Sequence, residues 1–201
     1  MGTTSERYGV ITGPDDAGAI QDLLNTFANG RSGKPDLLAA DDVAAHWWSE
    51  RFGSLGLAQN GVPGGSSRLR ALRDALRAAL TEGGVVPGVE TAAEVSGGDV
   101  RTVLDMSLRA DGTVAPTPAG TGWDAALAEV LLWAYRSQLQ GTWPRLKVCR
   151  NPECEVAFYD RSRNSSGVWH DALVCGNVAN LRASRARKRE RAEVAASESG
   201  N

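Results

Sequence analysis

Apolar positions recur along this chain with two periods, and the change of period marks its organisation. Residues 1–13 are polar and are expected to fray. Ile20, Leu23, Leu24 and Phe27 then fall at i, i+3, i+4 and i+7. They form one apolar face of a helix from about Ala17 to Asn29, which Asp15-Asp16 can cap and Gly30 can stop. Asp41-Asp42 starts a second helix, roughly Val43 to Phe52, that carries His46, Trp47 and Trp48. Residues 53–66, rich in Gly with Pro63, read as a loop. Ser67 is the expected cap of a third helix to about Thr81. Leu69, Leu72, Leu76 and Leu80 occupy one of its faces, arginines the other, and Gly83-Gly84 stops it.

The period then shortens to two. Val100, Thr102, Leu104, Met106 and Leu108 share one side of an alternating run, with Arg101, Asp105 and Ser107 on the other, which predicts a half-buried strand. Asp111-Gly112 predicts a hairpin turn to a partner strand near Thr113 to Thr117. Thr121 and Asp124 fit a capping box for a long helix to about Gln140. Its expected buried face holds Trp123, Leu127, Val130, Leu131, Ala134 and Tyr135, and Gly141 and Pro144 end it.

All three cysteines and one of the two histidines lie between Cys149 and Cys175. Four residues separate Cys149 from Cys154, four separate His170 from Cys175, and fifteen lie between the pairs. Two short ligand pairs joined by a spacer can close a tetrahedral site for one structural zinc ion, with no position left open for catalysis. The bland alternative is three ordinary buried thiols and a loop histidine. The local chemistry suits the metal. Asn151-Pro152-Glu153 is turn sequence, Val156 to Tyr159 reads as a strand, and Arg163 to Gly167 reads as a turn returning into Val168-Trp169. Asp171 can cap a following helix, with Cys175 in its first turn. The fold class expected is therefore α+β. A mostly helical N-terminal domain with a small antiparallel hairpin (1–143) precedes a treble-clef-like zinc finger with a long basic C-terminal helix (144–195), and 196–201 form a disordered tail.

Cys149, Asn151-Pro152, Cys154, Phe158, Asp160, Ser162-Arg163-Asn164, Trp169 and Cys175-Gly176-Asn177 together resemble the bacterial CGNR zinc finger. Family members usually carry cysteine where His170 stands, and Val178 stands where they carry the arginine of the name. Ser165, Ser166 and Val168 replace the usual basic residues of the hairpin. Leu24-Asn25-Thr26, Asp36-Leu37-Leu38 and Arg70 to Leu76 resemble the ABATE domain, which commonly precedes this finger in bacterial transcription regulators. The resemblance implies zinc, double-stranded DNA as partner and an N-terminal domain that senses a small-molecule effector or a protein.

Charge supports a nucleic-acid partner. The net charge of −2 divides into 11 Lys/Arg against 7 Asp/Glu in residues 141–201, and the reverse bias before them. Arg182, Arg185, Arg187, Lys188, Arg189 and Arg191 crowd a helix expected from about Ala172 to Ala195, and Arg182, Arg185 and Arg189 share a face. Asn177 and Asn180 precede them as candidates for reading adenine, and Arg161 and Arg163 are further phosphate candidates. A solvated helix end favoured by the helix dipole is the alternative. Asp160 is expected to brace the finger by local hydrogen bonds.

Asn25, Thr26, His46 and Trp47 are candidates for a ligand pocket, against the simpler reading of a cap and a packed core. No Ser-His-Asp set, phosphate-cradling glycine loop or open metal site appears, so an enzyme is not expected. No apolar run reaches eighteen residues and the N-terminus has no apolar signal core. The expected location is cytoplasmic, at the nucleoid when DNA is bound. A homodimer is expected because one finger offers little contact area. A zinc-stabilised protein-interaction module, or an RNA binder, is the alternative function.

Overall fold

The computed structural model describes residues 2–29, 32–57, 63–81 and 100–199. Among the described residues the helices of the body are α1 (Asp15–Leu24), α2 (Asp41–Phe52), α3 (Gly65–Leu80) and α4 (Gly122–Leu139). A hairpin of β1 (Leu104–Leu108) and β2 (Val114–Pro118) precedes α4, with Leu104 opposite Pro118 and Leu108 opposite Val114. After α4, β3 (Leu146–Val148) pairs antiparallel with β4 (Ala157–Tyr159), and α5 (Asn177–Ser199) follows. Helices thus combine with two small antiparallel sheets, as α+β patterning requires.

The core forms where the apolar stripes meet. Ile20, Leu23 and Leu24 of α1 are fully buried against Leu69 and Leu72 of α3 and Leu127 and Val130 of α4. Trp48 of α2 stacks on Trp133 of α4 with ring centroids 5.5 Å apart, and Phe52 closes the cluster at 4.7 Å from Trp133. Each large side chain buried in this way contributes about 1.5–3 kcal/mol. The indole of Trp123 lies so close to the start of α3 that a Cβ on Gly65 would sit 2.0 Å from it, so only glycine fits there. Leu146 of β3 and Ala157 of β4 belong to this same core, which ties the strands flanking the first cysteine pair to the helical body.

Several elements differ from their sequence patterns. The N-terminus is anchored: Ser5 is fully buried and donates through its N–H and hydroxyl to Asp22 Oδ1 at 3.0 and 2.7 Å. Helix α1 ends at Leu24, well before Asn29, because donors outside the helix take its next carbonyls. Arg77 donates to Leu24 O and the Leu37 N–H to Thr26 O. The expected stop at Gly30 lies outside the described residues, as do Gly83-Gly84 and part of the 53–66 loop.

Asp15 and Asp41 do not cap their own helices. The Asp41 carboxylate instead accepts from the N–H groups of Gly64 and Ser66 at 2.9 and 2.8 Å, capping α3 from another element. Ser67, the expected cap, lies inside α3 and donates to Gly64 O. Thr121 makes no side-chain cap for α4, and Asp124 pairs with Arg68 at 2.7 Å.

The Asp111-Gly112 turn forms, with Gly112 at φ +83° and the Arg109 N–H bonded to Thr113 O at 2.8 Å. The strand before it is shorter than its alternation suggests, and Met106 and Leu108 are 65% and 75% exposed, not half-buried. On α4, Tyr135 faces solvent and Trp133 takes the core position. In the finger, Val168-Trp169 is not a strand. The partner of β4 is β3, upstream of the first cysteine, and residues 161–170 return as a loop.

Candidate metal centre

Cys149 follows β3 directly, and its N–H donates to Val156 O at 2.9 Å. Asn151 then turns the chain. Its carbonyl accepts from the N–H groups of Cys154 (2.8 Å) and Glu155 (3.1 Å), and its Oδ1 accepts from Glu153. Glu155 stands at φ +53°, the left-handed conformation that completes the knuckle before β4. For a non-glycine residue this costs about 1–2 kcal/mol. The second pair is set by Asp171, whose carboxylate accepts from the Leu173 and Val174 N–H groups at 2.8 and 2.9 Å. A wide turn over Ala172–Gly176 then places Cys175 fully buried ahead of α5.

These two halves bring one donor atom each from Cys149, Cys154, His170 and Cys175 within 4.8 Å of one another. His170 Nδ1 lies 3.2 Å from Cys154 Sγ and 3.6 Å from Cys175 Sγ. Zinc–sulfur and zinc–nitrogen bonds of about 2.3 and 2.0 Å put the edges of a tetrahedron at about 3.5–3.8 Å, close to the 3.2 and 3.6 Å from His170 Nδ1 to the two sulfurs. Three thiols and an imidazole form a soft donor set that fills all four positions, so the residues are placed to bind one zinc ion in a closed site.

A hydrogen bond from the Cys154 thiol holds Cys149 down to about 4, and the neighbouring thiolate in turn pushes Cys154 up. Burial pushes Cys175 up, opposed by the Asn151 side chain. Asn151 Nδ2 is buried with no hydrogen-bond partner, so a metal-bound Cys175 thiolate would supply the acceptor it lacks. Zinc displaces the remaining thiol protons, which makes binding weaken as pH falls.

Asp160 braces the loop between the ligand pairs. Its carboxylate accepts from Lys147 Nζ (2.6 Å) and from the N–H groups of Ser162 (2.9 Å) and Gly167 (2.7 Å). Burial opposes its charge, but these donors outweigh burial and hold it well below the usual carboxylate range.

The other candidate residues are dispersed. Arg161 donates to Thr12 O at 2.8 Å and lies over the Tyr159 ring, while Arg163 is exposed. On α5, Asn177, Asn180, Arg185, Arg187, Lys188, Arg189 and Arg191 face solvent, and Arg182 pairs with Glu153 of the knuckle. Asn25 and Thr26 are fully buried and use their polar atoms within the chain. Asn25 bonds both backbone groups of Ala157, and Thr26 Oγ1 donates to Leu23 O and accepts from Arg73. His46 is exposed, and the Trp47 indole N–H donates to Thr4 Oγ1.

Sequence reasoning missed Asn29 and Arg77, and it placed the arginines of α3 in solvent. Arg73 is 3% exposed and holds Asp36 through two bonds of 2.8 and 3.0 Å. Arg77 is buried, lies 3.9 Å above the Phe27 ring, and is pulled down to about 10 by burial and by Arg73. The available signal was their i, i+4 alignment with Leu69, on the stripe that the leucines leave.

No curated protein matches the chain. Among protein families, the CGNR zinc finger matches residues 145–188, a stretch that holds all four ligand residues, and there the chain is similar to a zinc-binding module.

Proposed function

We propose that this protein is a zinc-finger DNA-binding transcription regulator of the cytoplasm. The observation that carries the reading is the row of exposed cations, Arg185, Arg187, Lys188, Arg189 and Arg191, on a helix that starts at Asn177, just after the last zinc ligand. In this reading the knuckle, the β3–β4 pair and α5 form a treble-clef-like module. Zinc fixes the start of a basic helix, and the helix presents several guanidinium groups to successive phosphates or to guanine edges. Asn177 and Asn180, exposed one turn earlier, are the candidates for adenine.

Residues 1–143 act as an ABATE-like sensor of a small molecule or partner, and a homodimer supplies the contact area that one finger lacks. A cavity of about 660 Å3 supports sensing, because it lies between the end of α3 and the finger. Leu80, Trp143, Val148 and Val168 contribute to its lining. The proposal assigns no catalysis. Among the described residues no helix is long and apolar enough to cross a membrane.

Enrichment of random-sequence duplex DNA on zinc-loaded protein, beside metal-stripped protein, tests the reading. A zinc-dependent motif is expected. Arg185→Ala with Arg189→Ala should lower the salt slope of log K by roughly 1.8, about 0.9 for each lost phosphate contact. One observation favours a protein-interaction or RNA-binding module instead: Arg182 is already paired with Glu153, and Val178, Ser165, Ser166 and Val168 carry no charge where the resembled finger is basic. No retention of duplex at moderate salt would select that second reading.

A further inference from the structure

Three contacts join the helical body to the backbone at and just after the second zinc ligand. Asn29 Nδ2 donates to Cys154 O at 2.5 Å, and Asn29 is 5% exposed. Arg77 Nη2 donates to Glu155 O at 2.6 Å while its Nη1 holds Leu24 O, the last carbonyl of α1, at 2.9 Å. Asn25 bonds the N–H and C=O of Ala157. The peptide so held contains Glu155, whose left-handed backbone carries strain that a glycine would not. A strained residue persists where its surroundings over-determine it, and here the surroundings come from another part of the chain.

Charge adds a second reason for Arg77. Among the described residues Arg77 makes no close ion pair: two carbonyls and the Phe27 ring hold its guanidinium, with the carboxylates of Glu155 and Asp74 acting from further off. One of those carbonyls belongs to the residue next to Cys154. Letting go of the turn would strand the buried guanidinium, so Arg77 holds the Glu155 carbonyl in place.

We propose that Asn29 and Arg77 are positioning residues of the zinc centre: they hold the Cys154–Glu155 peptide in the left-handed turn that aims Cys154 at the metal, so that the helical body contributes to zinc affinity. The body and the finger are then one thermodynamic unit. Loading the metal stabilises the end of α1 and the C-terminal turn of α3, and loosening those helices weakens the metal.

The test is zinc affinity of the full chain, measured by competition with a chromophoric chelator, together with the absorption spectrum of the Co2+-substituted protein. Asn29→Ala and Arg77→Met each lower zinc affinity by roughly 10- to 100-fold, the usual scale for residues that orient metal ligands, and alter the Co2+ ligand-field bands. Arg77→Lys, the conservative variant, retains the charge but cannot bridge both carbonyls, and falls between wild type and Arg77→Met.

Arg51→Ala is the control. It breaks the 2.6 Å bond to buried Asp22 without touching the knuckle, so it lowers the melting temperature but leaves zinc affinity within about twofold. Glu155→Gly, added to Arg77→Met, recovers part of the lost affinity because glycine adopts φ +53° without a clamp. Affinities within twofold of wild type for Asn29→Ala and Arg77→Met would overturn the proposal. So would an equal loss in Arg51→Ala, or no recovery with Glu155→Gly.

Discussion

Replacing Asn25 with alanine should destabilise the protein more than its small size suggests. Asn25 and Ala157 are both 0% exposed. The carboxamide donates to Ala157 O at 2.9 Å and accepts from the Ala157 N–H at 2.9 Å, as a neighbouring strand would. Alanine removes both partners and leaves a donor and an acceptor stranded in the interior. Each stranded group costs about 1–3 kcal/mol, and entry of a water molecule would offset part, so a loss of about 3 kcal/mol is expected. For a chain of this length that corresponds to roughly 6–12 °C in melting temperature.

The assay is urea unfolding of zinc-loaded protein followed by tryptophan fluorescence, with the denaturant slope checked for constancy. Asn25→Asp sharpens it. Aspartate keeps the acceptor for the Ala157 N–H but sets a buried carboxylate oxygen against Ala157 O, which raises its pKa in the folded state. Stability of that variant is then retained below the unfolded carboxylate pKa of about 4 and is lost as pH rises through the folded value. A loss below about 0.5 kcal/mol for Asn25→Ala would refute the reasoning, because it would mean that Asn25 does not hold α1 to β4.

Other residues give further predictions. Asp41→Ala removes the cap of α3 and should cost about 1 kcal/mol, with the helix N-terminus showing faster amide exchange at Gly64 and Ser66 than the rest of α3. Asp160→Asn leaves Lys147 without its charged partner and should lower zinc-loaded stability at neutral pH in a melting experiment. Because the folded pKa of Asp160 is depressed, the wild-type advantage is full above the unfolded carboxylate value near 4 and disappears as pH falls below it; a constant difference across that window would exclude the carboxylate as brace.

Local chemistry was legible wherever one segment decides its own structure. The apolar stripe of α1, the Asp111-Gly112 turn and the Asp171 cap depend on neighbours within a few residues, and the zinc ligands show as two pairs, each with a four-residue gap. What depends on remote partners was not legible. Asp41 looks like a cap for α2 and instead caps α3, because both helices compete for one carboxylate and only the fold decides. Met106 and Leu108 alternate as a buried strand does, but no layer among the described residues covers them. Arg73 and Arg77 read as solvated, since charge normally excludes burial, yet Asp36 and Asp74 satisfy Arg73 and two backbone carbonyls satisfy Arg77, with Phe27 below it. The partner of β4 is a further case: the turn-rich run before Val168-Trp169 suggests a hairpin, but Leu146–Val148 supplies the core residue Leu146 and takes the pairing.

The central claim is that Cys149, Cys154, His170 and Cys175 bind one zinc ion. Elemental analysis of zinc per chain, after exhaustive dialysis against metal-free buffer, tests it most directly when wild type is compared with the Cys149→Ser, Cys175→Ser double variant. The account predicts one zinc per wild-type chain and none in the double variant. A ratio near zero in wild type, or one zinc retained without those two thiolates, would contradict it.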